Sequence, residues 1–300
     1  MKKLFIILTL IPIFFTSCNK DEVGMNDETV EVSFTSDLTE EAMTRAASDL
    51  TVNQIVCAVF DGNNEIPALR QTKEITDPSA INISLHLVKG RTYNVVFWAM
   101  KDANYDVTDM KAIKRSATGS INETDYDAFT ATTSITVQDA VTLPLTLTRP
   151  LAQVNFGVTE LDWNTALQFS QTPTTATITY QASDTFNALT GETVLGSTEI
   201  IRRSSCTGSA MSVESVTYKH LGTFYVLMSE TERKTLVDVT CNVLDQNATS
   251  IRSISIPSVP VQRNYKTNIV GGLLAGTVSY QITLKDFADE EINEEINEDI

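Results

Sequence analysis

Leu143–Val158 reads LPLTLTRPLAQVNFGV, and the reading of its two halves decides the fold class. Leu143, Leu145 and Leu147 alternate with Pro144, Thr146 and Thr148, which is the period of a half-buried strand. Pro150 has no backbone N–H to donate, and it holds Arg149 in an extended conformation. A second alternation follows, with Ala152, Val154 and Phe156 on one face and Gln153 and Asn155 on the other. One strand ends at a proline and the next begins with no flexible linker between them. The stretch therefore reads as a stiff junction between two β units. Arg149 is its one long cation. The plain expectation is a stem that packs and a head that meets solvent or a carboxylate.

Working outward, the same period recurs. Val30, Val32 and Phe34 alternate with Glu31, Ser33 and Thr35 as a first strand. Val52–Phe60 is apolar on both faces, as in a strand inside a sandwich. Ile81, Ile83, Leu85 and Leu87 alternate with Asn82, Ser84, His86 and Val88, which points His86 away from the core. Tyr93–Met100 is the densest apolar strand. Strands are also expected at 174–181, 213–218, 223–228, 236–243 and 250–256, and a last one carries Val278, Tyr280, Ile282 and Leu284. Lys101–Asp127 reads as a polar excursion. Its Asp102, Asn104, Asp106 and Asp109 have calcium-loop spacing but lack the central glycine and distal glutamate, so a solvated loop is expected and no metal. Gly271-Gly272 is not followed by Lys-Ser/Thr, which removes a phosphate loop and leaves a tight turn.

The formal charge of −16 becomes −18 if Lys2 and Lys3 leave with a leader. Such a chain repels phosphate backbones, so no nucleic-acid partner is expected. Beyond Cys18 the cysteines are Cys57, Cys206 and Cys241, an odd number that closes no complete disulfide framework; a Cys206–Cys241 pair stays open. Two histidines, His86 and His220, offer little for acid–base chemistry, and no Gly-x-Ser-x-Gly, His-Glu-x-x-His or dinucleotide fingerprint is present. No catalytic residue, no cofactor and no enzyme are expected.

The N-terminus carries Lys2 and Lys3, an apolar run from Leu4 to Phe15, and then Phe15-Thr16-Ser17-Cys18. That run is too short to anchor as a membrane span. It reads as a lipoprotein signal peptide over 1–17, with Cys18 lipidated; an ordinary signal peptide is the alternative. Acyl chains such as palmitate contribute about 0.8 kcal/mol per buried methylene, so two or more hold a protein stably. Lys20-Asp21-Glu22 follows and resembles a surface-export signal of outer-membrane lipoproteins; a solvated tether over 18–30 explains it as simply. The segment 288–300 is an acidic tail.

Several of these segments together resemble the fimbrillin family, the subunits of type V pili. The likeness rests on Gly90–Ala99 (GRTYNVVFWA), on Asp125, Asp127, Ala128 and Phe129, and on Arg149 with Ala152, Val154 and Phe156. The most specific part is Arg263–Leu274, where Asn264, Thr267, Ile269, Gly271, Leu273 and Leu274 match the family's Asn-x-x-Thr-x-Ile-x-Gly-x-Leu-Leu run. Thr44-Arg45-Ala46 matches the place where an Arg-specific protease trims the pilin, between Arg45 and Ala46. The resemblance implies an all-β chain of two tandem transthyretin-like β-sandwich domains, at 31–148 and 149–287. It implies a fimbrial subunit or accessory protein of the cell outer membrane, lipid-anchored, that supports cell adhesion. Its partners would be other pilus subunits and a host or bacterial surface receptor. Assembly would proceed by exchange of the first strand (Val30, Val32, Phe34) for a strand from another subunit, drawn from Val278 onward. The alternative is a surface glycan-binding lipoprotein that never polymerises, which a cluster of exposed aromatics would favour.

Overall fold

The structure is a computed structural model that describes residues 28–38, 52–116, 123–194, 196–229 and 233–286. Cys18, the Arg45–Ala46 bond, most of the tether and the acidic tail lie outside the described residues. In chain order the first strands are β1 (Thr29–Ser36), β2 (Gln54–Asp61), β3 (Asn64–Glu65), β4 (Gln71–Glu74), β5 (Ile81–Val88), β6 (Thr92–Met100), β7 (Tyr105–Asp106), β8 (Ile113–Arg115), β9 (Ala128–Thr136) and β10 (Val141–Pro144). Then come β11 (Leu151–Val158), helix α1 (Glu160–Gln168), β12 (Thr175–Ala182), β13 (Thr185–Asn187), β14 (Glu192–Thr193), β15 (Thr198–Ser205) and β16 (Ala210–Val213). The last are β17 (Val216–Leu227), β18 (Lys234–Leu244), β19 (Ser250–Val261), β20 (Tyr265–Gly272) and β21 (Ser279–Asp286).

The chain is all-β apart from α1 and two short 3₁₀ turns among the described residues. A sheet of order β10-β1-β5 faces a second of order β3-β2-β6-β9, with β4 also paired to β2. Val32 and Phe34, Ile83 and Leu85, Cys57 and Val59, and Val95 and Phe97 fill the core between them. On β5 every second residue is buried and His86 points outward, as the alternation requires. Residues 143–148 do not form one strand. β10 stops at Pro144, which cannot donate to a ladder. The next residues cross from one sheet to the other: Leu145 N donates to Thr35 O, while Thr148 pairs with Thr130 of β9. Leu145 and Leu147 still bury their side chains on the way.

Further along, a sheet of order β16-β17-β11-β20-β21 packs on one of order β15-β12-β18-β19. Ala152, Val154 and Phe156 point into the core between them, beside Phe224, Ile178, Val239 and Ile269. β11 lies centrally, antiparallel to β17 and parallel to β20. The Gly271-Gly272 pair is not a turn. It ends β20 in register with Tyr280 and Ser279, and a Cβ on Gly271 would overlap the Ser279 carbonyl oxygen.

Two features differ from the sequence reading, which gave no helix after β11 and a solvated loop after β6. Helix α1 starts at the N-cap Thr159, whose hydroxyl accepts from Asp162 N. The buried Asp162 carboxylate in turn accepts from the backbone N–H groups of Leu273, Leu274 and Ala275 at 2.6–2.7 Å, which fixes the chain after β20. The excursion after β6 is not a solvated loop either. Its β7 and β8 join β13 and β14 in a small sheet of order β14-β13-β8-β7. Tyr105, Met110 and Ile113 are buried there in a third cluster with Trp98, Leu151, Phe186 and Tyr225. That cluster packs the outer face of the β2-β6 sheet against one end of the β11 sheet.

Candidate functional site

β1 is the middle strand of its sheet. It pairs antiparallel with β5 along its whole length and parallel with β10 over Val32–Thr35. Val32 and Phe34 are buried, Val30 half-buried. The Phe34 ring meets Phe97 of the facing sheet edge-on, with centroids 5.1 Å apart. On the opposite face of β1 the Ser33 and Ser84 hydroxyls are 2.7 Å apart. Val30, Val32 and Phe34, the residues expected to form an exchanged strand, thus come together in one core, facing β2 and β6 rather than flanking them.

Three motif segments, far apart in sequence, meet at the junction. Arg149 is buried, 1% exposed, and grips Asp127 with Nε to Oδ1 at 2.6 Å and Nη2 to Oδ2 at 2.9 Å. Its Nη1 donates to Asn264 Oδ1 at 3.2 Å, and its guanidinium lies 4.6 Å over the Phe129 ring. Arg263 donates to the Arg149 carbonyl and to the Thr148 hydroxyl. The arginine head meets a carboxylate, as one of the two expectations had it, but deep in the protein. A bidentate, charge-assisted pair in that setting is a strong positional lock. Arg149 and Asn264 therefore serve the junction's geometry.

The chemistry-bearing residues are otherwise engaged. Cys57, Cys206 and Cys241 are free thiols. Burial pushes Cys57 and Cys206 up to about 12 and raises Cys241 as well, so all three are protonated at neutral pH. Asp106 and Asp109 cap the backbone N–H groups of Thr108 and Lys111, and the Asn104 amide donates to Asp125 O. Hydrogen bonds from the Thr108 side chain and then from its backbone N–H hold the Asp106 carboxyl below its ordinary range. The Asp106 and Asp109 carboxylates are thus turn-formers, Asp102 accepts from the Gln54 amide, and no cluster fit for a metal occurs among the described residues. Trp98 is buried and Trp163 packs on Gly208, so neither belongs to an exposed aromatic cluster.

Two cavities stand out. One of about 1020 Å³ lies beside β4 and β7, where Arg70 already pairs with Glu65 at 2.6 Å. Another of about 530 Å³ lies on the outer face of the β11 sheet, over Gln153, Asn155, Thr223 and Asn268. The sequence placed Gln153 and Asn155 on the face away from the core. It did not show that all of β11, Gln153 and Asn155 included, is buried.

With this geometry in hand, the family can be stated. Residues 21–300 match the family of unknown function DUF6562. The chain belongs to that family. No curated protein matches the sequence. Among solved structures it is similar to the fimbrial anchor protein Mfa2 from Porphyromonas gingivalis, at 13% identity and TM-score 0.46, over 85% of this chain and 96% of that one. It is also similar to a fimbrial assembly protein from Parabacteroides distasonis, at 14% identity and TM-score 0.43, over 88% and 97%. A Bacteroides thetaiotaomicron protein provisionally described as polysaccharide binding aligns at 13% identity and TM-score 0.49, over 89% and 98%.

Proposed function

We propose that this protein is a subunit or accessory protein of a cell-surface pilus, activated for assembly by loss of its first strand. The observation that supports this reading is the place of β1, in the middle of a sheet rather than at its edge. Burying Val32 and Phe34 contributes about 1.5–3 kcal/mol each. That is a large part of a domain's stability of about 5–15 kcal/mol. Removing β1 leaves β5 and β10 with unpaired inner edges and exposes the Phe97 ring it covered. Such a groove takes up a strand from another chain.

In this reading Cys18 carries the lipid that holds the precursor at the outer membrane, and cleavage between Arg45 and Ala46 releases β1. The chain then divides into units at 31–148 and 149–287. A donor drawn from Val278 onward would first have to leave its own core. β21 is paired to β20 along its length, and its Ile282 and Leu284 are buried in this protein's own core. The donor is a strand supplied by a different subunit, which suits an accessory or terminal place in the pilus as well as a shaft.

The test is digestion of the purified, unlipidated protein with an Arg-specific protease, followed by light scattering. Wild type is expected to be cut after Arg45 and to associate, alone or with an added pilus subunit. Arg45→Ala is expected to do neither. A wild type that is cut at Arg45, keeps a stable monomeric state and takes up no subunit overturns the reading.

A further inference from the structure

We propose that the free edge of β15 is an interface for a second copy of this chain, paired antiparallel about a two-fold axis at Ile201. β15 ends its sheet, hydrogen-bonded to β12 on one side and to no strand on the other. Its outer face carries Glu199, Ile201 and Arg203, all exposed, with Ile201 at 56%. An open edge of this length is a template for another strand. The opposite edge of the sheet is guarded, since β19 carries Pro257 and Pro260, which have no N–H to donate. β15 has neither proline nor glycine. The ladder also decides which groups are on offer. Cys206 N donates to Thr174 O just beyond the paired stretch, so Ile200, Arg202 and Ser204 turn their N–H and C=O groups toward β12. Those of Glu199, Ile201 and Arg203 point to the free side. There the Ile201 carbonyl meets only the Arg202 guanidinium of its own chain at 3.4 Å, a long contact that a ladder bond would displace.

Charge selects the register. Glu199 and Arg203 enter no ion pair among the described residues. Four residues apart on one strand, about 13 Å, they cannot reach each other. An antiparallel copy centred on Ile201 sets Ile201 opposite Ile201, Glu199 opposite Arg203 and Arg203 opposite Glu199. All of these residues bond outward, so each facing pair exchanges two backbone hydrogen bonds, and both charges gain an opposite partner. No neighbouring register does this. Centring on Glu199 or on Arg203 sets like charges face to face. Centring on Ile200 or on Arg202 leaves Glu199 and Arg203 opposite uncharged residues. A two-fold interface needs a self-complementary patch, and this strand carries one. The chain's formal charge of −16 repels a copy in general, but the charges of Glu199 and Arg203 cancel across this edge. With only edge strands in contact the buried area is small, which predicts a weak, reversible pair. This inference does not depend on strand release at Arg45, since β15 and β1 lie in different sheets.

The test is sedimentation velocity of the intact, unlipidated chain, never exposed to an Arg-specific protease, in a concentration series up to the millimolar range. Expected is a reversible equilibrium of monomer and dimer. Glu199→Arg and Arg203→Glu each set like charges opposite one another and are expected to weaken the dimer about tenfold or more. An equimolar mixture of these two variants is expected to pair as tightly as wild type, and the double variant Glu199→Arg/Arg203→Glu to recover the homodimer. Ile201→Pro removes the central outward donor without touching a bond to β12, and it is expected to abolish the dimer while the backbone nuclear magnetic resonance spectrum keeps the dispersion of the fold. A wild type that stays monomeric throughout, single charge variants that dimerise as wild type does, or a mixture that does not recover pairing overturns the proposal.

Discussion

The first and last described strands, β1 and β21, are alike in length and opposite in situation. Each has eight residues and buries alternate apolar side chains, Val32 and Phe34 in one, Ile282 and Leu284 in the other. Yet β1 is hydrogen-bonded on both sides, whereas β21 is bonded on one side to β20 and ends its sheet. The difference lies in what removal would leave. Taking away an edge strand moves the edge inward by one place. Taking away a central strand leaves two edges facing each other across a slot of one strand's width, about 4.8 Å from each neighbour to its centre. The first outcome is a smaller sheet and the second is a template.

The largest effect that can break this comparison is excision itself. Deleting Thr29–Ser36 is expected to abolish hydrogen-exchange protection on β5 and β10, and the Thr29–Ser36 peptide added in trans is expected to restore it. Deleting Ser279–Asp286 is expected to leave protection on β5 unchanged. If β5 stays protected without β1, the slot closes on itself and the contrast fails. Next in size is Asp127→Ala, which strands the buried Arg149 charge and is expected to cost about 3–5 kcal/mol in urea unfolding. Because that pair joins β9, β11 and the turn before β20, it is expected to lower the unfolding midpoints of both cores together.

Single truncations sharpen the comparison further. Phe34→Ala is expected to cost about 3–5 kcal/mol and Ile282→Ala about 2–5 kcal/mol. Only Phe34→Ala is expected to raise exchange on β10. The smallest effect is confined to the β11 sheet. Burial lowers the pKa of His220 from its ordinary 6.5, so the folded state binds its proton less readily than the unfolded chain. Stability from this residue is full above about pH 6.5 and is lost as the pH falls from there toward the lower folded-state value. His220→Gln is expected to flatten the urea midpoint between about pH 7 and 5, with no change in β1 protection.

How far the sequence could be read follows from which faces meet water. β5 was legible because one face is solvated, so Ile81, Ile83, Leu85 and Leu87 stand out from their neighbours. β11 was legible as a strand, but its second face was not, since Gln153 and Asn155 look like surface residues when no neighbour is in view. The pair of Arg149 and Asp127 was invisible as a pair, because 22 residues separate them and Asn264 lies 115 residues on. α1 did leave a signal: Thr159 with Asp162 three residues later is an N-terminal cap pattern. The small sheet of β7, β8, β13 and β14 left almost none, because strands of two or three residues have no period.

That small sheet also governs how the molecule carries tension. Ile113 and Lys114 of β8 bond to Phe186 and Thr185 of β13, joining segments from either side of the Arg149 junction. A chain that met only at one junction could swivel there. Here any bend away from the rungs must snap backbone hydrogen bonds and wet the Trp98–Phe186 contact, whose rings lie 5.7 Å apart. A pull applied at one end of the protein therefore reaches the other end as through a stiff rod with a cross-brace, and not as through beads on a string.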